Sequence, residues 1–244
     1  VQTCALPILT GGEPLMDRNT YRVFDWVLDN PKSDLHLNVT SNFSVEEPLF
    51  EKYFGYVQRL CNTDIEHFMQ YVSLDSGIPA QAEYLRHGLD YKRMAGNVER
   101  YLCDIPYRNS LTFIITMNNL GVTGFREYME WILRLRETYS KTYQRVWFDT
   151  PVLRQPAWQS LQILPESYAA KLERCADWMA TQVGTELTGF RDYEVQRLRR
   201  DIAWMREGQH QDNSTARADF YRFFAEHDRR SEEHTSELQS RFGI

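Results

Sequence analysis

The chain has 244 residues, of which 42% are hydrophobic, 14% aromatic and 25% charged, and its net charge is -6. This composition supplies a full hydrophobic core and excludes a chain that is disordered over most of its length. The acidic balance disfavours nonspecific binding of phosphate backbones, and the best apolar run, residues 111–117, is far too short to cross a bilayer. We therefore expect neither a nucleic-acid partner nor a membrane partner. The four cysteines, at positions 4, 61, 103 and 175, form no CxxC-type clip, which predicts reduced thiols in a cytoplasmic protein and no metal ligands.

Both ends of the chain resemble translated sequencing adapters. Residues 230–240, RSEEHTSELQS, match one adapter strand residue for residue, and residues 1–8, VQTCALPI, match the opposite strand. We therefore expect 1–8 and 230–244 to be artefacts, and the natural part, about residues 9–229, to be truncated at both ends. Segments of this origin carry no selected packing, so residues 230–244 are expected to make no contact with the core.

Strand and helix alternate over the first two thirds of the chain. After an apolar segment that ends before Thr10, a turn at residues 11–14 leads into a helix from about Asp17. A second helix is predicted to open at Pro48, and further amphipathic helices at 91–101 and from Phe125, with a loop before residue 91. The predicted strands are residues 35–40, 68–74, 111–117 and 145–149.

Beyond Pro165 the pattern is entirely helical, with predicted helices at about 165–181, 190–206 and 215–228. In the second of these, Glu194 lies on the same seam as the apolar residues Phe190, Leu198 and Ile202. We therefore divide the natural part at this point, into 9–164 and 165–229. The alternation in the first part predicts an α/β fold with a parallel sheet, wound into a barrel or a doubly wound sheet.

Polar residues follow every predicted strand. Each group alone is explained by turn chemistry or helix capping. Together they place a polar or charged group at the carboxyl end of each strand, which is where barrels and doubly wound sheets carry their sites. The groups are residues 10–14, 40–42, 73–76 with Arg86 downstream, Asn118 and Asn119, and 150–152.

The order LTGGEPL, NVTSN and VSLD, with Arg86 downstream, resembles the core of the radical S-adenosylmethionine (SAM) superfamily over about residues 9–155. The resemblance implies a partial (β/α)6 TIM-type barrel, here lacking its first βα unit and followed by a helical C-terminal segment. It implies a [4Fe-4S] cluster that cleaves SAM reductively to a 5′-deoxyadenosyl radical. It also implies a reductant protein such as flavodoxin or ferredoxin. The substrate is not readable from the sequence, and a peptide is one candidate.

The resemblance also implies a role for individual residues of this chain. Gly11, Gly12 and Glu13 would receive the methionyl ammonium group, and Pro14 would fix the exit of their turn. Arg86 would pair with the methionyl carboxylate, which suits its planar fork. The remaining implied contacts are Ser73 and Asp75 with the ribose, Asn42 near cofactor or substrate, and Val152 and Leu153 in the adenine pocket.

One departure separates this chain from the family. The family's CxxxCxxC loop, which precedes GGEP, is absent, and Cys61, Cys103 and Cys175 do not reproduce its spacing. We expect these cysteines to be packing residues, so that this chain is inactive while its parent is a radical SAM enzyme. The helical end at 219–230 resembles the approach to a twitch or SPASM-type extension, with a plain amphipathic helix as the alternative.

Two other functions remain open. A cluster-free (β/α)-barrel enzyme would need a lysine or paired carboxylates at the strand ends, and the strand ends offer Asn, Ser, Thr and Asp but no lysine. A non-catalytic degenerate barrel that binds peptides or acts as a scaffold is the non-enzymatic alternative.

Overall fold

A five-stranded parallel sheet forms the centre of the protein, which a computed structural model describes over residues 7–106, 109–182 and 184–242, with side chains through Arg229. The strands lie in the sheet in chain order. Their bounds are β1 Ile8–Leu9, β2 His36–Ser41, β3 His67–Ser73, β4 Ser110–Ile114 and β5 Val146–Asp149.

Helices connect these strands and form the C-terminal part of the chain. The bounds are α1 Arg18–Asp29, α2 Glu47–Cys61, α3 Pro79–Leu85, α4 Tyr91–Asp104, α5 Phe125–Tyr139, α6 Glu166–Thr181, α7 Asp192–Gln209 and α8 Ser214–Phe242. The starts of several helices follow directly from the sequence. Asp17 and Asp90 cap α1 and α4 by accepting from backbone N–H groups of the first turn, and Pro48 lies in the first turn of α2.

Because all neighbouring strands are parallel, the carboxyl ends of the five strands lie at one edge of the sheet. Neighbouring strands are parallel, with Val39 opposite Gln70, Val72 opposite Phe113 and Phe113 opposite Phe148. Tyr53 of α2 donates to Gln70, and Tyr128 of α5 packs on Phe113. These two sheet residues lie on the same face, so both connecting helices cover one face of the sheet. The α/β class and the parallel sheet predicted from the alternating pattern are therefore confirmed.

Burial along β3 distinguishes the two faces of the sheet. Phe68, Gln70 and Val72 are buried, whereas Met69 and Tyr71 are half-buried. The buried Gln70 is held by hydrogen bonds rather than left unsatisfied: its amide nitrogen donates to the carbonyl oxygen of Tyr71 at 2.8 Å. The helix-covered face thus carries the main core, and the other face is only partly covered by the described residues.

A buried ion pair joins the C-terminal helices to the sheet. Arg136 of α5 and Glu194 of α7 have side chains that are 0% and 2% exposed, and Nη2 lies 2.6 Å from Oε1. Arg136 also donates to the carbonyl oxygens of Val146, at 2.9 Å, and Gly189, at 3.0 Å. These contacts fix α7 against α5 and the start of β5.

The structure differs from the sequence-based expectation in three elements. Helix α3 occupies a segment predicted to be loop, β4 ends at Ile114 rather than at Met117, and α8 continues to Phe242 rather than ending near Asp228. The prediction that residues 230–244 make no contact with the core concerns side chains outside the described ones. Residues 1–6, with Cys4, also lie outside the described residues. Among the described helices, none is long and apolar enough to cross a membrane.

Candidate functional site

A cleft of about 330 Å³ lies at the carboxyl edge of the sheet, where β1, β2 and β3 end. It brings together three of the polar groups that follow strands in the sequence, together with the arginine at position 86. Its lining residues are Thr10, Gly11, Gly12, Glu13, Thr40, Ser41, Asn42, Ser73 and Arg86.

The paired glycines after β1 adopt backbone conformations that favour glycine. Gly11 has φ 97° and Gly12 has φ 58°. A Cβ atom at either position would meet no atom within 4 Å, so the requirement for glycine comes from the backbone and not from crowding. The turn is exposed on the cleft and ends at the buried Pro14, which opens a short 3-10 turn. The backbone at 11 and 12 is therefore open to close approach by a ligand.

The carboxylate of Glu13 ties the β1 turn to the end of β2. Oε1 accepts from the backbone N–H of Leu15 at 3.2 Å, and Oε2 accepts from the backbone N–H of Asn42 at 3.1 Å. Each carboxylate oxygen can accept more than one hydrogen bond, so both retain capacity for a donor in the cleft. Glu13 is half-buried and lines the cleft, which presents a negative charge there without further movement of the chain.

Arg86, which also lines the cleft, forms an ion pair with Asp75. Arg86 Nη2 donates to Asp75 Oδ1 at 3.2 Å, and Nε lies 2.9 Å from Oδ2 without the alignment of a hydrogen bond. Asp75 Oδ1 also accepts from the backbone N–H of Thr116 at 3.1 Å, which fixes the carboxylate to the loop after β4. Arg86 thereby presents its guanidinium at a defined position, with a side chain that is 28% exposed.

The remaining residues implied by the resemblance divide between the cleft and a separate location. Ser73 is half-buried at the end of β3, and Asn42 Oδ1 accepts from the backbone N–H of Ser44 at 3.0 Å, which forms the turn after β2. Val152 and Leu153 lie instead beside Met117, where the N–H of Leu153 donates to the carbonyl oxygen of Met117 at 3.0 Å. They do not line this cleft.

Further polar contacts at the carboxyl edge were not singled out by the sequence pattern. Thr150, directly after β5, donates to the carboxylate of Asp201 at 3.2 Å. Burial raises the pKa of Asp201, and the Thr150 hydrogen bond partly opposes that shift. Asp149 forms an ion pair with Arg197 of α7. The C-terminal helices thus contact the sheet edge, a placement that no local spacing in the sequence indicates.

The described cysteines do not fit a [4Fe-4S] cluster. Cys61 and Cys175 are buried on α2 and α6, whereas Cys103 is exposed on α4. Burial raises the pKa of Cys175 to about 12, which opposes the thiolate form that cluster ligation requires. Within the described ranges there is no group of three or more His, Cys, Asp or Glu side chains that could hold a metal ion.

Comparison with known proteins adds no assignment to this geometry. No protein-family model matches the chain, and no curated protein matches it. The cleft and the motifs that surround it are therefore the features that indicate a function.

Proposed function

We propose that the carboxyl-edge cleft binds the amino-acid end of SAM, which carries the ammonium and carboxylate groups. We also propose that the chain is the SAM-binding part of a radical SAM enzyme. The observation that carries the proposal is the cleft itself. It joins Gly11, Gly12 and Glu13 with Ser73 and Arg86, although these residues lie up to 75 positions apart in the sequence.

The charges around the cleft support an amino-acid ligand. Glu13 offers carboxylate oxygens with remaining acceptor capacity, which suits an ammonium group. Arg86, which lines the same cleft, offers the opposite charge and suits a carboxylate, although Asp75 already neutralises part of it. The zwitterionic amino-acid end of SAM, with its ammonium at Glu13 and its carboxylate at Arg86, would satisfy both charges.

The fold supports the barrel part of this proposal, whereas the described cysteines supply no ligands for the cluster. A parallel sheet in chain order, with α2 and α5 packed on the same face, is an arrangement expected of a partial (β/α)6 barrel, and this supports that architecture. The described cysteines supply no cluster ligands, so the proposed role of these residues is to bind and orient SAM. The proposal also includes a reductant protein such as flavodoxin or ferredoxin as the partner, and a peptide as one candidate substrate.

Calorimetric titration of the purified chain with SAM tests the proposal. We expect one binding site, and we expect Glu13→Gln to weaken binding by roughly ten- to a hundredfold, because a charge-assisted hydrogen bond contributes about 1.5–3 kcal/mol. Arg86→Lys should weaken binding by less than Arg86→Ala, because lysine retains the charge while losing the planar fork.

A matched control separates loss of the ligand contact from a general effect of removing a carboxylate. Glu130 is also half-buried and also hydrogen-bonded, to Arg126 at 2.8 Å, but it lies on α5 away from the cleft. Glu130→Gln should bind SAM as the parent does. Equal SAM affinity in the parent and Glu13→Gln would exclude the proposed site, as would no binding to a folded parent.

A further inference from the structure

A second pocket, of about 320 Å³, lies between the loop after β4 and helix α8, separate from the carboxyl-edge cleft. Three aromatic residues, two of them tyrosines, and four aliphatic residues supply most of its wall, and the other two lining residues carry an amide and a guanidinium. The lining residues are Asn119, Leu120, Ile163, Leu164, Pro165, Tyr168, Arg217, Phe220 and Tyr221.

One residue that lines this pocket carries an unsatisfied hydrogen-bond acceptor. Asn119 is only 5% exposed, and its amide nitrogen donates to the carbonyl oxygen of Trp158 at 2.9 Å. Because the nitrogen faces Trp158, the amide oxygen faces away from it, and this oxygen is buried with no hydrogen-bond partner. Buried amide oxygens in native proteins are usually paired, so the position favours a donor from a bound molecule.

Arg217 supplies a positive charge to the same pocket. Its Nε donates to the carbonyl oxygen of Ile163 at 2.9 Å, which anchors the guanidinium at the pocket wall. Among the described residues that line the pocket, it is the only charged one. A guanidinium without a lining carboxylate favours an anionic group, and a carboxylate matches its geometry.

We infer that this pocket binds an aromatic carboxylic acid that also carries an N–H donor, such as an N-acylated aromatic amino acid. The ring would pack against Tyr168, Phe220 and Tyr221, the N–H would donate to the Asn119 oxygen, and the carboxylate would accept from Arg217. This site does not depend on SAM binding at the other cleft, so the two assignments can fail separately.

A ligand series on the unaltered full chain tests the inference without any mutation. N-acetyl-L-phenylalanine carries the ring, the N–H and the carboxylate; its primary amide lacks the carboxylate, and 3-phenylpropanoate lacks the N–H. Calorimetric titration should show that N-acetyl-L-phenylalanine binds about tenfold or more tightly than either analogue, which corresponds to one lost polar contact. Equal affinity for all three, or no binding of N-acetyl-L-phenylalanine, would overturn the inference.

Two arginine variants on the same helix then locate the site. Arg217→Met should weaken binding of N-acetyl-L-phenylalanine by about tenfold or more but leave the affinity for its primary amide nearly unchanged. Arg222→Met is the control, since Arg222 is 80% exposed and does not line the pocket. Equal weakening by both variants would contradict the assigned site. Equal loss of both ligands with Arg217→Met would instead show that the variant disrupts α8, and the ligand series on the parent would then decide the inference.

Discussion

Replacing Glu194 with glutamine perturbs the contact that joins the C-terminal helices to the sheet. Glu194 accepts from Arg136 Nη1 at 3.1 Å and Nη2 at 2.6 Å, and from the backbone N–H of Arg191 at 2.9 Å. Glutamine has one acceptor oxygen in place of two and no charge, while the Arg136 side chain stays 0% exposed. No carboxylate then offsets the positive charge of Arg136, whose remaining acceptors are the carbonyl oxygens of Val146 and Gly189 and the single amide oxygen of the glutamine.

We expect Glu194→Gln to lower the free energy of unfolding substantially, because the charge of Arg136 remains buried. Breaking a buried ion pair by removing one partner costs about 3–5 kcal/mol, so the free energy of unfolding measured by urea titration should fall by about that amount. Glu130→Gln is the control, because the Glu130 side chain is 40% exposed. Its i,i+4 pair with Arg126 is expected to contribute only about 0.3–0.5 kcal/mol.

A double variant tests whether the loss of stability comes from the unpaired buried charge. Arg136→Met combined with Glu194→Leu replaces both charges by apolar side chains, and it should recover most of the stability lost in Glu194→Gln. If Glu194→Gln lowers the free energy of unfolding by no more than Glu130→Gln does, Arg136 is satisfied without its carboxylate, which would contradict the stabilising role of the pair.

Three further predictions concern the titratable groups. Burial and the hydrogen bond to Asp228 raise the pKa of Tyr84 to about 12, so folding disfavours its ionisation. The stability that it contributes is intact below pH 10 and is lost as the pH rises from 10 towards about 12, and Tyr84→Phe should flatten that decline in a series of Tm measurements. A thiol reagent should label the exposed Cys103 far faster than the buried Cys175 in peptide mass spectrometry. Reconstitution with iron and sulfide should give no stoichiometric cluster absorbance, and a cluster that disappears in Cys61→Ala would contradict the packing role of that thiol.

The sheet could be predicted from the sequence because its strands are short apolar or alternating runs between turns. The predicted strand at 68–74 appears as His67–Ser73, one residue earlier. Helix α3 could not be predicted, since it has seven residues and buries only Ala82, which leaves no amphipathic stripe. The end of β4 was missed because pairing with β3 ends where Ser73 lies opposite Ile114, although the apolar run continues to Met117.

The sequence predicted individual polar residues of the cleft, but it did not predict which charged residues form ion pairs. Placing polar residues at the carboxyl ends of parallel strands required only the strand pattern, and the cleft contains Glu13, Asn42 and Ser73 as that pattern implies. Arg86 follows α3 and not a strand, and only the family resemblance implied its place in the cleft. The ion pair of Arg86 with Asp75 was not predicted, because spacing along the chain does not show which charges meet. Glu194 lay on a predicted apolar seam and is buried, yet its partner is 58 positions away and lies on another helix.

Glycine-selective NMR during a SAM titration tests the central claim most directly. If SAM binds in the carboxyl-edge cleft, the amide resonances of Gly11 and Gly12 should shift with saturation, because both residues line the cleft. Those of Gly55 and Gly96, on the helices α2 and α4, should stay in place. Saturable SAM binding that leaves Gly11 and Gly12 unshifted would contradict the proposed site.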